Sequence, residues 1–459
     1  MPQVAKNLKI IIMILISSAC GQFNDRNSDE APHEHPTKTT LDPAATNTGT
    51  AIVGQPIANL GILREKVGTS TLNEKNYYGQ GVTIAVLDNG FHSLEQAKGK
   101  TLPPDLTIEP IYQGKMTKSI HGTKMAEVAY AIATGKKNYD SSIPSPDIKL
   151  FVTSGAYYNL NSSIARLIKM KEENPNRNII ALYSQIWEYG GNLDGTGYID
   201  YLVNLAANAG IIWINAAGNV GPSTYVDDIR INNKRQVELP GPDNSLEFEV
   251  TNPMTQLKLV LAWNDFSNNY ENYFTRWDFD YQLINSSGKV LAEANLIQDG
   301  TNQKGRKGYS RHAREQIKAM LNPGTYSVKI TTKHTQSQLY QGAKFWVVAS
   351  GAGIYMKQPS PEAAVLMPAD LPNVIAIGGS DIGFGSLSDT KPDLYCPSQI
   401  LLPGEKSPLL QGTSIAAAVC AGAIATYASS KSQPITRHSV TAISKKSQAG
   451  IRKLYITPN

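Results

Sequence analysis

Two short runs of apolar and β-branched residues constrain the fold more than anything else in this chain. Val82–Leu87 starts after Gly81 and stops on Asp88-Asn89-Gly90, and Ile211–Ala217 stops on Gly218-Asn219. Neither alternates polar with apolar, so neither reads as a strand with one wet face. Uninterrupted runs of this length, bounded by turn residues, fit parallel strands buried on both faces. Ile148–Val152 and Asn178–Tyr183 read as further strands, and Ile164–Lys171 and Tyr198–Ala207 as helices. Strands alternating with helices predict an α/β fold with a doubly wound, mostly parallel sheet. Ligands of such sheets sit beyond the carboxyl ends of the strands, where Asp88 and Asn219 fall.

Between roughly 223 and 350 the texture changes. Leu246–Val250, Gln256–Trp263, Asp278–Ile284, Lys289–Ala292, Gly324–Thr331 and Lys344–Val348 carry a period-two rhythm. Turn signals such as Asn285-Ser286-Ser287-Gly288 and Asn322-Pro323-Gly324 separate them. This predicts an antiparallel β-sandwich. The α/β texture returns with Asn373–Gly378. The expected organisation is a body in two segments, 59–222 and 355–459, with a β-sandwich inserted at 223–354.

The first twenty residues read as an export signal. Lys6 and Lys9 precede the apolar run Ile10–Ile16, followed by Ser17-Ser18-Ala19 and Cys20. The run is too short to span a bilayer, which takes roughly 20 residues. The closing Ser-Ser-Ala-Cys resembles a bacterial lipobox, in which Cys20 is lipidated. Residues 21–58, poor in large apolar groups, read as a solvated tether. The expectation is an exported protein held to a bacterial cell envelope by lipid, or else secreted.

The chain has 459 residues, 43 basic against 38 acidic, a net charge of +5. With no basic stripe interleaved with aromatics, nucleic acid is not an expected partner. Cys396 and Cys420 remain after Cys20. One disulfide and two buried thiols are both open, and neither cysteine has metal-site spacing.

Three segments carry the chemistry. Asp88 ends the Val82–Leu87 run, His121 opens His121-Gly122-Thr123-Lys124-Met125-Ala126, and Ser414 sits in Gly412-Thr413-Ser414-Ile415-Ala416-Ala417-Ala418. Singly, each fits a strand end, a helix start or an N-cap. Together, in this order, they resemble the Asp, His and Ser motifs of the subtilisin-like (subtilase) serine peptidases. Ala216-Ala217-Gly218-Asn219 is similar to that family's oxyanion-hole segment, and Lys391-Pro392-Asp393 to the stretch before its Ser motif. The resemblance implies an endopeptidase acting on protein or peptide substrates through an acyl-enzyme on Ser414. His121 would be general base and acid, Asp88 would orient it, and Asn219 would complete the oxyanion hole. No cofactor is implied for this chemistry.

Some positions depart from the pattern. Lys124 and Glu127 stand where the family usually has His and Gly, which affects packing more than chemistry. The family's cleft strand, which lines the primary pocket and pairs with substrate backbone, corresponds to Ser184-Gln185-Ile186, and Ile186 and Trp187 predict an altered or narrowed pocket. Ala216, Ala217 and Gly218 would line the same cleft. The inserted unit resembles the small jelly-roll modules of secreted peptidases, and its Asp265, Asp278 and Asp280 are candidate ligands for a structural Ca²⁺. No inhibitory prodomain is recognised. The altered cleft and that missing prodomain leave an alternative, a weak or inactive subtilase-like envelope binding protein.

Overall fold

The computed structural model describes residues 52–111, 116–154, 157–271, 274–301, 306–360, 365–381, 390–404, 409–446 and 452–456. Its main sheet is built from β1 (Val82–Asp88), β2 (Asp147–Val152), β3 (Asn178–Tyr183) and β4 (Ile212–Ala216). Between β4 and its next strand lie nine antiparallel strands: β5 (Thr224–Asp228), β6 (Leu246–Val250), β7 (Thr255–Trp263), β8 (Phe279–Asn285), β9 (Val290–Ala294), β10 (Arg314–Leu321), β11 (Gly324–Thr332), β12 (Lys344–Ser350) and β13 (Ile354–Met356). The main sheet resumes with β14 (Ile375–Gly379) and β15 (Leu394–Cys396), a small hairpin of β16 (Gln399–Leu401) and β17 (Leu409–Gln411) follows, and β18 (Ser444–Lys446) and β19 (Arg452–Leu454) close the chain's sheet. The order is β18-β19-β15-β14-β4-β3-β1-β2. Every neighbouring pair is parallel except β18 with β19.

The uninterrupted apolar runs now have their reason. In β1, Ile84 and Val86 enter one core while Ala85 and Leu87 enter the other. In β3, Ile180 and Leu182 are divided in the same way from Ile179, Ala181 and Tyr183. Successive side chains point to opposite faces, so a strand covered on both sides buries nearly every position and favours apolar residues throughout. One face is covered by helices α1 (His121–Thr134) and, much later in the chain, Thr413–Ser429. The other is covered by α2 (Tyr157–Glu173) and α3 (Tyr198–Asn208). The helix Thr413–Ser429, hereafter α4, is buried along nearly all its length.

The antiparallel strands form a four-stranded sheet, β10-β7-β12-β5, and a five-stranded one, β13-β6-β11-β8-β9. The two meet face to face: the Tyr281 hydroxyl donates to the Leu259 carbonyl at 2.6 Å, and the Trp263 and Phe279 rings lie 5.0 Å apart. β7 and β12 lack the expected alternation of wet and dry positions over most of their length. They are covered twice, once by the five-stranded sheet and once by the main body.

Three residues at the end of the expected tether are part of this core. Ile52, Val53 and Ile57 are buried with the α1–α4 face. The Gly54 N–H donates to Glu127 Oε1 at 2.7 Å and the Thr101 hydroxyl to the same oxygen at 2.5 Å. Lys124 Nζ lies 2.6 Å from Glu127 Oε2, both side chains buried. The two departures on α1 are therefore one ion pair, whose acid also holds Gly54 and Thr101, since buried charges persist only when paired. Cys396 and Cys420 form a disulfide joining β15 to α4, with a Cα–Cα distance of 5.9 Å. Cys20 lies outside the described residues, and among these no helix is long and apolar enough to cross a membrane.

Candidate active site

Asp88 is the last residue of β1 and fully buried. Its Oδ1 accepts the Asn89 N–H at 2.8 Å, which turns Oδ2 toward α1. There Oδ2 lies 2.6 Å from His121 Nδ1. The approach requires a glycine at 122. A Cβ at that position would stand 2.6 Å from Phe91 Cε1, 2.7 Å from Asp88 Cβ and 2.7 Å from the Gly90 carbonyl. The Gly122 N–H instead donates to that carbonyl at 3.1 Å, pulling the first turn of α1 against the end of β1. The Ser119 hydroxyl accepts the His121 N–H at 3.1 Å and fixes the backbone before the helix.

Ser414 stands in the first turn of α4 and is buried. Its hydroxyl donates to the Ser184 carbonyl, at 3.2 Å, just beyond the end of β3. The position of α4 against α1 is fixed by small residues. A Cβ on Gly422 would lie 2.4 Å from the Ala129 carbonyl, and the Thr426 hydroxyl donates to the Ala133 carbonyl at 3.2 Å. Each of these contacts stands as many residues after His121 as after Ser414. The helices are thus parallel and in register, and His121 and Ser414 stand at one level on the pair. The alanine-rich sequence of α4 is what permits so close a packing.

Asn219 follows β4. Its Oδ1 accepts both the backbone N–H of Thr413, at 3.0 Å, and the Thr413 hydroxyl, at 3.1 Å. An amide whose oxygen is committed in this way presents its NH₂ elsewhere. The Ile415 and Ala416 N–H groups turn back to the Gly412 carbonyl at 3.1 and 3.2 Å. The Ser414 N–H, one of the helix-start donors without an intrahelical acceptor, is left next to the Asn219 amide. Gly412 adopts φ of 141°, and a Cβ there would stand 3.1 Å from Asn219 Nδ2. The site therefore gathers a carboxylate–imidazole pair, a hydroxyl at the same level, and two N–H donors at a helix start where partial positive charge concentrates.

The cleft candidates are divided. Ser184 touches Ser414 directly, and the Gln185 carbonyl accepts the Asn215 amide at 2.9 Å. The Ala217 N–H pairs with the Ile377 carbonyl at 3.0 Å and Gly218 turns the chain at φ of 95° toward Asn219. Ile186 and Trp187 are core residues on the α2–α3 face of the sheet. The Trp187 N–H pairs with the Met367 carbonyl at 2.7 Å and its indole donates to the Tyr183 hydroxyl at 2.8 Å. Burial pushes that tyrosine's pKa above its ordinary range, and the Asp88 charge adds to the push.

Two of the three carboxylates considered for Ca²⁺ have other partners. Asp265 accepts the Thr275 hydroxyl at 2.5 Å, and Asp278 pairs with Lys333 at 3.0 Å and accepts the Gln298 N–H at 3.3 Å. Among the described residues no three His, Cys, Asp or Glu side chains converge as a metal site requires.

Sequence reasoning missed Glu188. It is fully buried, yet it lies in the apolar, aromatic stretch Ile186-Trp187-Glu188-Tyr189. A lone acid inside such a run is the signal that a buried partner exists.

Residues 79–258, less than half of the chain, match the model of the Subtilase family, peptidase S8. That stretch holds Asp88, His121 and Asn219 but not Ser414. The chain is 28% identical over 158 residues to a thermostable alkaline protease of Halalkalibacterium halodurans. The alignment spans 34% of this chain and 40% of that protein. Among solved structures, the CspB protease of Clostridium perfringens aligns over 80% of this chain and 85% of its own, at 15% identity and a TM-score of 0.46. The pre-peptidase C-terminal domain of a Bacillus anthracis collagenase aligns over 29% of this chain and 88% of its own, at 9% identity and a TM-score of 0.16. The family match and the alkaline protease support a serine peptidase in general.

Proposed function

We propose that this chain is a subtilisin-like serine endopeptidase. The observation that carries the reading is the 2.6 Å Asp88–His121 pair at the same helix level as Ser414. With Nδ1 committed to Asp88, Nε2 is the nitrogen that takes the Ser414 proton as Oγ attacks a peptide carbonyl carbon. The tetrahedral oxyanion is met by the Ser414 N–H and Asn219 Nδ2. His121 then returns its proton to the departing amine as the C–N bond breaks. Water, deprotonated by the same imidazole, releases the acyl group from Ser414. Asp88 holds the ring's tautomer and balances the imidazolium charge through both steps.

The two antiparallel sheets are read as one inserted β-sandwich entering just after the oxyanion residue. The basic and apolar start of the sequence supports export, with Cys20 as the lipid attachment point. Hydrolysis of an unstructured protein such as casein by the purified chain tests the catalytic reading. Activity lost in Ser414→Ala is expected. Activity that persists unchanged in that variant overturns it.

A further inference from the structure

The segment leaving β3 is held from two sides. Toward the main sheet, the Ser184 carbonyl accepts the Ser414 hydroxyl and the Gln185 carbonyl accepts Asn215. Three residues further on, at Glu188, the four-stranded antiparallel sheet takes over. Its pairing sets Trp346, Ala262 and Arg314 in one cross-strand row and Ser350 and Lys258 in another. These residues share one face, because side chains alternate along a strand. Leu259 and Trp263, which meet the five-stranded sheet, occupy the other.

The first face converges on Glu188. The Trp346 indole donates to the Glu188 carbonyl at 2.7 Å, the Ser350 hydroxyl to Oε1 at 2.8 Å, and Lys258 Nζ lies 2.5 Å from Oε2. Next to it the Arg314 guanidinium stacks 4.0 Å over the Tyr189 ring. A second attachment lies between α2 and the loop before β8, where the Tyr157 and Tyr270 rings stack at 4.2 Å. A buried ion pair is no better for stability than well-packed apolar residues of the same volume, but it demands one geometry. An acid tied at both oxygens and at its carbonyl therefore specifies where its segment lies.

We propose that Glu188 is a positioning residue, through which the antiparallel unit sets the Ser184–Gln185 segment against Ser414 and so governs the binding of extended peptides. The inference rests on the catalytic reading above and adds to it a role for the inserted sheets. They act as a brace of the cleft, and substrates that lie along the cleft segment feel the brace while substrates too short to reach it do not.

The test uses the full chain with Glu188→Gln, which keeps the shape and removes the charge, and Ser350→Ala, which removes one hydrogen bond. Three rates are compared: Ser414 labelling by a small fluorophosphonate, turnover of a single-residue ester, and cleavage of a hexapeptide amide. A displaced segment should lower kcat/KM for the hexapeptide on the order of 10–100-fold in Glu188→Gln, chiefly through KM, with a much smaller loss on the ester and in labelling. Ser350→Ala should shift the same ratio by less, and it decides the matter if the first variant fails to fold. A hexapeptide-to-ester ratio equal to that of the unsubstituted protein overturns the inference, whether all rates hold or all fall together. Absence of labelling in the unsubstituted protein overturns instead the catalytic reading on which it rests.

Discussion

His121 Nδ1 lies 2.6 Å from Asp88 Oδ2, and the glycine after the histidine is what lets them meet. Gly122→Ala should force α1 away from the end of β1, because its Cβ would fall within 2.7 Å of both Asp88 Cβ and the Gly90 carbonyl. A displacement near 1 Å at reacting groups costs about 100-fold in rate. Peptidase kinetics on a variant with an unchanged circular dichroism spectrum checks this. Retention of full kcat would show that the pair tolerates a wider approach.

Asn219→Ala removes the side-chain oxyanion donor and the acceptor for the Thr413 N–H and hydroxyl. The expected loss is roughly 100- to 1000-fold in kcat with KM little changed. A loss confined to KM would mean that Asn219 binds substrate in the ground state.

The Lys124–Glu127 pair should behave as a stability element. Lys124→Met leaves Glu127 buried without its cation, although still bonded to Thr101 and Gly54. Breaking one side of a buried pair costs about 3–5 kcal/mol. Chemical denaturation of the folded chain measures it. A change below about 1 kcal/mol would mean that water or relaxation compensates the charge.

Stability should fall as pH rises from mildly acidic to alkaline. Burial pushes the Glu315 carboxyl from 4.5 up to about 8, against the hydrogen bond from Gln298 that favours ionisation. Burial likewise pushes Asp370 up to about 6, and Asp280, half-buried near Asp278, to about 6. A raised carboxyl keeps its proton in the folded state while the unfolded chain has lost it. Its contribution is complete below the unfolded pKa and is lost as pH passes the folded one. For Glu315 that window is about 4.5 to 8, and the loss is on the order of 5 kcal/mol. Thermal unfolding between pH 5 and 8 should be flatter in Glu315→Gln, and curves parallel to those of the unsubstituted chain would contradict the assignment.

Much of the body was legible because its information is local. A strand buried on both faces announces itself in Val82–Leu87, and Asp88 and Asn219 follow from where such strands end. The small residues after Ser414 are legible in the sequence, but the register that brings Ser414 level with His121 is not, since that depends on contacts with Ala129 and Ala133 far along the chain. Glu188 was illegible for the same reason, its partners Trp346 and Ser350 lying 158 and 162 residues away. Ile52 and Val53 read as part of a tether because two apolar residues amid polar ones carry no periodicity. Gly54 beside them is bonded to Glu127, an acid that sequence alone marks only as a departure.

The most direct measurement is fluorophosphonate labelling of the native chain with the adduct located by peptide mass spectrometry. The account predicts one adduct, on Ser414, that is lost on unfolding and reduced in His121→Ala by at least about 1000-fold in rate. A native protein that takes no label, or that labels equally well without His121, would contradict it.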